Sequence, residues 1–290
     1  MKEVVVISVI IPIYNRAHLI ENILNKLAEQ TIKNFEILII DDCSSDSKQL
    51  VNVLNKCNLE IRYIRHKKNM HGGAARNTGI INAKGKYVAF LDSDDFWHED
   101  KLKICLEKNI NEDEIIYSKI TDRRIIRPIQ PYDAKNLIDD YLLVENGTMQ
   151  TSSLFMHRSF ANKIKFDPDL KRFQDFDFII RASKSFDANF VFVDEILVSM
   201  GDDDKGNRIS SSTDHIPALY WLTKISPMLS EKSKAVFAFN RLINYASNNI
   251  SRREIISLFF QFNCHLYLRY LDYKVIVKCV LGKNQKWLKR

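Results

Sequence analysis

The chain has 290 residues, 46% of them hydrophobic, and a formal net charge of +7. That size supports one large or two small domains around a real core. Five cysteines, an odd number with no close ligand spacing, argue against a disulfide framework and a zinc site, and the seven histidines form no HExxH-like pattern. No apolar run reaches the roughly 18 residues of a membrane span, and the stretch from Ile255 to Leu268 is broken by Gln261, Asn263 and His265. The first residues, with Glu3 and Pro12 and no small-residue cleavage site after them, do not read as a signal peptide. Residues 216–290 hold 13 Lys and Arg against 3 Asp and Glu. The basic surplus therefore sits in the C-terminal quarter, and the front of the chain is no nucleic-acid platform. A reducing cytoplasm is the expected setting.

Strand and helix alternate through the first 91 residues. Val4 to Ile13 is a β-branched, buried strand that gives way at Pro12 to Tyr14-Asn15-Arg16. Leu19, Ile20, Ile23, Leu24 and Leu27 then mark one face of a helix. Phe35 to Ile40 is a second strand, closed by Asp41-Asp42, and Ser44, Ser45 and Asp46 offer caps for a helix carrying Leu50, Val51, Val53 and Leu54. Ile61 to Ile64 is a third strand. His71-Gly72-Gly73 reads as a turn, Ala74 to Ala83 as a closely packed helix, and Tyr87 to Leu91 as a fourth strand. Near-continuous apolar strands of this kind belong to a parallel sheet covered on both faces. Ligands bind such sheets beyond the carboxyl ends of the strands. Three polar clusters fall there: Tyr14-Asn15-Arg16, Asp41-Asp42 and Asp92 to Asp95.

The last cluster is the most informative. Asp92, Asp94 and Asp95 place three carboxylates at one strand end. Burying an unpaired carboxylate is costly, and oxygen ligands suit Mn²⁺ or Mg²⁺ held together with substrate phosphates. A plainer alternative has Ser93 or Asp94 capping a helix from about Phe96 to Lys108. Beyond residue 110 the rhythm weakens. Short strands are expected at 115–118, 125–126, 153–157 and 190–193, and helices at 133–143 and 173–183. Gly201 to Ser212 reads as a mobile polar loop, and amphipathic helices are expected after it.

Together, ISVIIPIYNR (7–16), FEILIIDDCSSD (35–46), GGAARNTGIINAKGKYVAFLDSDD (72–95) and RFQDFDFIIR (172–181) resemble the inverting glycosyltransferases of family 2, in the family's order and over about the first 180 residues. The resemblance implies an α/β GT-A fold: a Rossmann-like, mostly parallel central sheet with helices on both faces, plus a C-terminal helical region. It divides the chain into a nucleotide-sugar half (1–110), an acceptor half with the catalytic base and a mobile loop (111–215), and a basic helical tail (216–290). It is similar in feel to bacterial enzymes that build O-antigen or capsule repeat units.

The same resemblance implies residue roles. Tyr14 lines the nucleotide pocket, with Pro12 and Arg16 beside it. Asp42 reads the base by accepting from uracil N3–H, while Asp41 is structural or ribose-directed. Arg76 forks onto phosphate oxygens, and Asn77 fixes local backbone. Asp94 is the metal ligand; Asp92 faces the ribose or a metal-bound water, Ser93 belongs to the donor site, and Asp95 orients this group or caps the next helix. Asp175 is the catalytic base and Asp177 the runner-up. The family's usual Glu-Asp pair is Gln174-Asp175 here, so one carboxylate is missing. Arg208 in the polar loop is set to neutralise the leaving diphosphate.

The implied reaction moves a hexose or N-acetylhexosamine from a nucleotide sugar, most simply a UDP-sugar, to a lipid-linked saccharide, with Mn²⁺ or Mg²⁺ as cofactor and a β-glycoside as product. The basic tail, with Arg252-Arg253, Lys283, Lys286, Trp287, Lys289 and Arg290, suits peripheral contact with the cytoplasmic face of the inner membrane. A nucleotidyltransferase would carry a Gly-rich basic loop where Tyr14-Asn15-Arg16 stands. A receiver-like signalling module lacks a reason for the later Asp cluster. A degenerate, non-catalytic sugar-nucleotide-binding relative is the remaining alternative, raised by Gln174.

Overall fold

The computed structural model describes residues 6–122, 125–201, 214–246 and 251–271. The chain forms two compact units: Met1–Tyr132 with Thr148–Gly206, and Asp133–Gly147 with Asn207–Arg290. The segment Asp133–Gly147 thus groups with the C-terminal helices, although the sequence reading placed it in the acceptor half.

The first unit is built on a nine-stranded sheet. Strands β1 (Ile7–Ile13), β2 (Phe35–Asp41), β3 (Ile61–Arg65) and β4 (Tyr87–Phe90) run parallel in the order β3-β2-β1-β4. Helices α1 (Ala17–Ala28), α2 (Ser47–Leu54) and α3 (His71–Asn82) connect them. All of Phe35–Asp41 is buried, the signature of a strand covered on both faces. Ile20, Ile23, Leu24 and Leu27 of α1 pack into the same core as Ile7, Val9, Ile37 and Ile39. Helix α3 approaches β1 so closely that a Cβ on Gly79 would lie 2.3 Å from Ile10 Cγ2. Parallel register sets Ile13 beside Asp41 and Ile10 beside Phe90, so the carboxyl ends of β1, β2 and β4 open side by side.

Past β4 the sheet becomes mixed. After β5 (Asp95–Trp97), helix α4 (Lys101–Glu107) leads to β6 (Glu114–Asp122) and β7 (Ile125–Arg127). Strand β8 (Phe155–His157) is followed by α6 (Arg158–Ile164), α7 (Gln174–Phe186) and β9 (Asn189–Met200). Strand β8 runs antiparallel between β4 and β6, β9 is parallel to β6, and β5 is antiparallel to β9.

Several sequence expectations are corrected here. Asp95–Trp97 is a strand, where a helix from Phe96 was expected, and α4 starts only at Lys101. Trp97 turns inward and its Nε1 donates to the Ser152 carbonyl at 2.9 Å, which fixes that extended geometry. Neither Ser93 nor Asp94 caps a helix; both face Arg16. His71-Gly72-Gly73 is the first turn of α3. Strand β9 runs to Met200, much further than its apolar start suggested, because the ladder with β6 breaks register after Val193, leaves Asp194 and Glu195 out of the pairing, and resumes at Ile196. Ser44 and Asp46 do not cap α2: Asp46 Oδ2 accepts from the Ala17 amide (2.9 Å) and Ser44 Oγ from the Asn15 amide (3.0 Å), stitching the loop after β2 to the loop after β1.

In the second unit, α5 (Ile138–Leu143), α8 (Ile216–Ile225), α9 (Glu231–Phe237), a π-helical stretch Ala238–Ile243, the short α10 (Asn244–Ala246) and α11 (Arg252–Gln261) surround a core of Val236, Phe239, Ile243, Ile255 and Leu271. Asp140 anchors α5 to α9 by accepting from Ser230 Oγ (2.6 Å) and Ser233 Oγ (2.7 Å) and pairing with Lys232 (2.6 Å). No helix among the described residues is long and apolar enough to cross a membrane. The basic cluster at Lys283–Arg290 lies outside the described residues.

Glu36 is the electrostatic anchor of the sheet. It is fully buried and accepts from Ser8 Oγ (2.6 Å), the Lys84 amide (2.6 Å) and Arg62 Nη1 (3.0 Å), tying β1, β2, β3 and the α3–β4 turn together. Burial pushes its carboxyl up, but these donors outweigh burial and hold it below the ordinary value. Its stabilisation is therefore present above the unfolded-state pKa and lost as pH falls through the lower folded one. Glu36→Ala should cost about 3 kcal/mol, the lower end for breaking a buried pair. Urea melts at pH 7 should show this loss, and melts at progressively lower pH should show the gap to wild type closing.

Candidate active site

The two aspartates after β2 have opposite fates. Asp41 is fully buried; its Oδ1 accepts from the Ser44 amide (2.8 Å), and its Oδ2 from Ser47 Oγ and Tyr63 OH, both at 2.6 Å. Burial raises its carboxyl, but these donors more than offset that and hold it low. Burial and the Asp41 carboxylate in turn push the Tyr63 hydroxyl up to about 12. Asp41 is thus consumed by the fold. In Asp42 a single oxygen, Oδ1, takes the bonds: one from the Met70 amide and one from His66 Nδ1, both 2.8 Å. His66 Nε2 meets Thr78 Oγ1 at 2.9 Å. Among the described residues Asp42 Oδ2 carries no hydrogen bond.

Tyr14 stands 48% exposed on the neighbouring loop, beyond half-buried Pro12. Asn15 holds that loop in a left-handed turn (φ 54°), its Oδ1 accepting from the Ser45 amide at 2.8 Å. Arg16 donates to Ser93 Oγ (3.2 Å) and pairs with Asp94 (3.1 Å), joining the ends of β1 and β4.

Arg76 is the centre of a second group. It is 8% exposed, stacks over Phe166 (5.3 Å to the centroid), and donates to Asp92 Oδ1 and to Gln174 Oε1 (2.5 Å). Asn77 fixes the backbone opposite, exchanging bonds of 2.7 and 2.8 Å with Phe166. Asp92 takes its amide bond to Ser152 Oγ (3.0 Å), and Ser152 Oγ and Gln150 Nε2 donate to buried Asp95 at 2.6 and 2.9 Å. Burial, with the charges of Asp92 and Asp94, pushes the Asp95 carboxyl up to about 7 against these two donors.

The three carboxylates of this strand end therefore point apart: Asp92 to Arg76, Asp94 to Arg16, Asp95 to Ser152. Among the described residues no three His, Cys, Asp or Glu side chains converge on a common metal position.

Asp175 opens α7. Burial raises its carboxyl; the Phe176 amide (2.9 Å) and the charge of Arg76 pull it back, and Asp92 pushes it up. Asp177 is held otherwise. It pairs with Arg181 Nε (2.7 Å), and the Nη1 and Nη2 atoms of that arginine donate to the Ile164 and Lys165 carbonyls. That lock makes Asp177 a fold residue and leaves Asp175 facing Arg76 and Asp92. Arg208 lies outside the described residues.

The structure thus brings Asp42, Arg16, Ser93, Asp94, Arg76, Asp92 and Asp175 to one side of the first unit. Four partners were missed from sequence: His66, Thr78, Gln150 and Ser152. His66 had a signal, since it directly follows β3 and so occupies a strand carboxyl end like the other polar clusters. Gln150 and Ser152 had none; Ser152 sits in a short turn (Thr151–Ser153) that Gln150 caps, with no periodicity to mark it.

With this geometry in hand, the family model described as glycosyl transferase family 2 matches residues 8–163. The chain belongs to glycosyl transferase family 2. The match takes in every strand-end cluster and stops before α7. The amylovoran biosynthesis glycosyltransferase AmsB of Erwinia amylovora is 34% identical over 245 residues, 78% of this chain and 79% of that one. WfgD of Escherichia coli, named a UDP-Glc:alpha-D-GlcNAc-diphosphoundecaprenol beta-1,3-glucosyltransferase, is 36% identical over 109 residues, 36% of this chain and 43% of that one. The solved structure of S. aureus TarS 1–349 in complex with UDP-GlcNAc superposes with a TM-score of 0.60 at 20% identity, covering 93% of this chain and 82% of that one. This last likeness establishes the GT-A fold.

The two candidate bases separate by stability. Because the folded carboxyl of Asp175 is raised, its ionised form opposes folding at neutral pH, an effect absent below the unfolded pKa. Asp175→Asn should raise the melting temperature slightly. Asp177→Asn should lower it by several degrees, through the broken buried pair with Arg181. Thermal denaturation of both variants at pH 7 checks the contrast.

Proposed function

We propose that this family 2 glycosyltransferase is an inverting, UDP-sugar-dependent enzyme that transfers a hexose or N-acetylhexosamine to a hydroxyl of a lipid-linked saccharide in surface polysaccharide synthesis. The observation that carries the reading is Arg76, which draws Asp92 and Gln174 together beside Asp175 at the carboxyl edge of the parallel strands. The names of AmsB and WfgD support a polysaccharide and a diphospholipid acceptor, and the TarS complex supports a UDP-sugar donor.

In this reading Asp42 accepts from the base through Oδ2, and Tyr14 and Pro12 border it. Arg76 and Arg16 face the diphosphate, with Arg208 a further candidate, and Asp92 and Ser93 orient the donor. Asp175 removes the proton from the acceptor hydroxyl, whose oxygen then attacks the anomeric carbon from the side away from the diphosphate. Its raised carboxyl makes it a better proton acceptor than an ordinary aspartate. One displacement inverts the centre, so an α-linked donor yields a β-glycoside. Asp94, with Asp92 and Asp95 beside it, is the place for Mn²⁺ or Mg²⁺, and the bound cation would supply charge neutralisation for the departing diphosphate. Gln174 does not speak for a degenerate relative, because its amide still holds Arg76 while Asp175 remains.

Contact with the cytoplasmic face of the inner membrane would come from the basic C-terminal region. Its described part exposes Ile256, Phe260, Leu266 and Leu268 beside Arg253 and Arg269, a composition suited to anionic lipid.

Asp175→Asn should keep UDP-sugar affinity within about twofold and lower turnover by roughly 10²–10⁴-fold, the range of a general base. Calorimetric titration beside a transfer assay checks both, and unchanged turnover would remove Asp175 as base. Asp94→Ala should abolish Mn²⁺-enhanced UDP binding in the same titration. Equal UDP affinity with and without Mn²⁺ in wild type would sink the metal assignment.

A further inference from the structure

The nucleotide-facing carboxylate is not left to orient itself. Asp42 is 3% exposed, and its backbone is tied to β1 by an amide bond to the Ile13 carbonyl (2.9 Å). Its side chain still has a free rotation, which decides what the outward oxygen presents. Both donors that fix this rotation act on Oδ1, the Met70 amide and His66 Nδ1. His66 is itself held at both ends. Its amide donates to the Asp41 carbonyl at 2.8 Å, and its far ring nitrogen meets Thr78 Oγ1 on α3. With Nδ1–H given to the carboxylate and Nε2 bonded to the Thr78 hydroxyl, one ring spans the end of β2, the end of β3 and α3. In so dry a setting each bond orients strongly.

We propose that His66, braced by Thr78, is a positioning residue for base selection. It locks Asp42 so that Oδ2 alone meets the nucleobase, and this selects a base offering an N–H at position 3 (uracil) over one offering a bare nitrogen there (cytosine). A fixed acceptor is left unpaired and desolvated by cytosine, and that mismatch is the source of discrimination. A carboxylate free to rotate would turn away and discriminate less. The inference rests on Asp42 reading the base.

The test is calorimetric titration of UDP and CDP into wild type, His66→Ala, His66→Asn, Thr78→Val, Asp42→Asn and the His66→Ala/Asp42→Asn double variant. Wild type should prefer UDP at least tenfold. His66→Ala should weaken UDP about tenfold while leaving CDP nearly unchanged, so the ratio collapses. His66→Asn, whose amide N–H replaces Nδ1–H, should restore part of it, and Thr78→Val should lose part of it with the imidazole intact. The double variant should bind UDP no more weakly than Asp42→Asn alone. If Asp42→Asn loses the preference but His66→Ala, His66→Asn and Thr78→Val keep it, base reading stands and the positioning role is overturned. If Asp42→Asn keeps the preference too, the base-reading role fails and takes this inference with it. Equal loss of UDP and CDP affinity in the His66 variants would mark a general structural part and also overturn the proposal.

Discussion

Asp41, Asp42 and Asp95 are almost wholly withdrawn from water, and a carboxylate so placed stands only where donors surround it. Those donors come from far along the chain: Tyr63 for Asp41, His66 and Met70 for Asp42, Gln150 and Ser152 for Asp95. The need to satisfy them sets the paths of the loops that follow β2 and β3 and of the turn before β8. Arg76 extends the same logic to α7, because a guanidinium planted between Asp92 and Gln174 fixes where that helix begins.

What such pairing leaves over is as informative as what it satisfies. Asp41, with both oxygens occupied, has nothing to offer a ligand. Asp42, with one oxygen occupied twice, keeps a directed acceptor. Asp177 is spent on Arg181, while Asp175, two residues earlier, keeps a carboxyl raised by burial and answered mainly by its own helix's amides. Sequence neighbours of identical chemistry are thus sorted, by the donors around them, into carboxylates spent on the fold and carboxylates left as candidates for function.

The sequence made legible what depends on local pattern. Strands β1, β2 and β4 were readable because continuous burial demands continuous apolar residues, and the strand-end clusters followed from that topology. The donor-site roles proposed for Asp42, Arg76 and Asp94 came with the family motifs. Pairing across the sheet was not readable. Asp95–Trp97 looks like a helix start until β9 is known to run alongside it, and Trp97 needs the Ser152 carbonyl to declare its direction. Ser44 and Asp46 have the composition of helix caps, yet the nearby Asn15 and Ala17 amides compete for them successfully. Gln150 and Ser152 act only because β8 inserts beside β4, a long-range event that no local window contains.

The position of Gln174 shows why a departure from the family pattern need not end the chemistry. Its Oε1 accepts from Arg76, the geometric part a glutamate would play, without adding a negative charge. Arg76 is then balanced by Asp92 and keeps more of its field for its other neighbours. One of these is Asp175, whose carboxyl Arg76 already lowers and Asp92 already raises. A second carboxylate at 174 would push Asp175 further up by like-charge repulsion and neutralise more of Arg76. The amide instead leaves the proposed base ionised over a wider range of pH and the arginine more cationic toward a diphosphate. In the proposed reaction the missing charge would therefore shift the balance between proton abstraction and leaving-group binding.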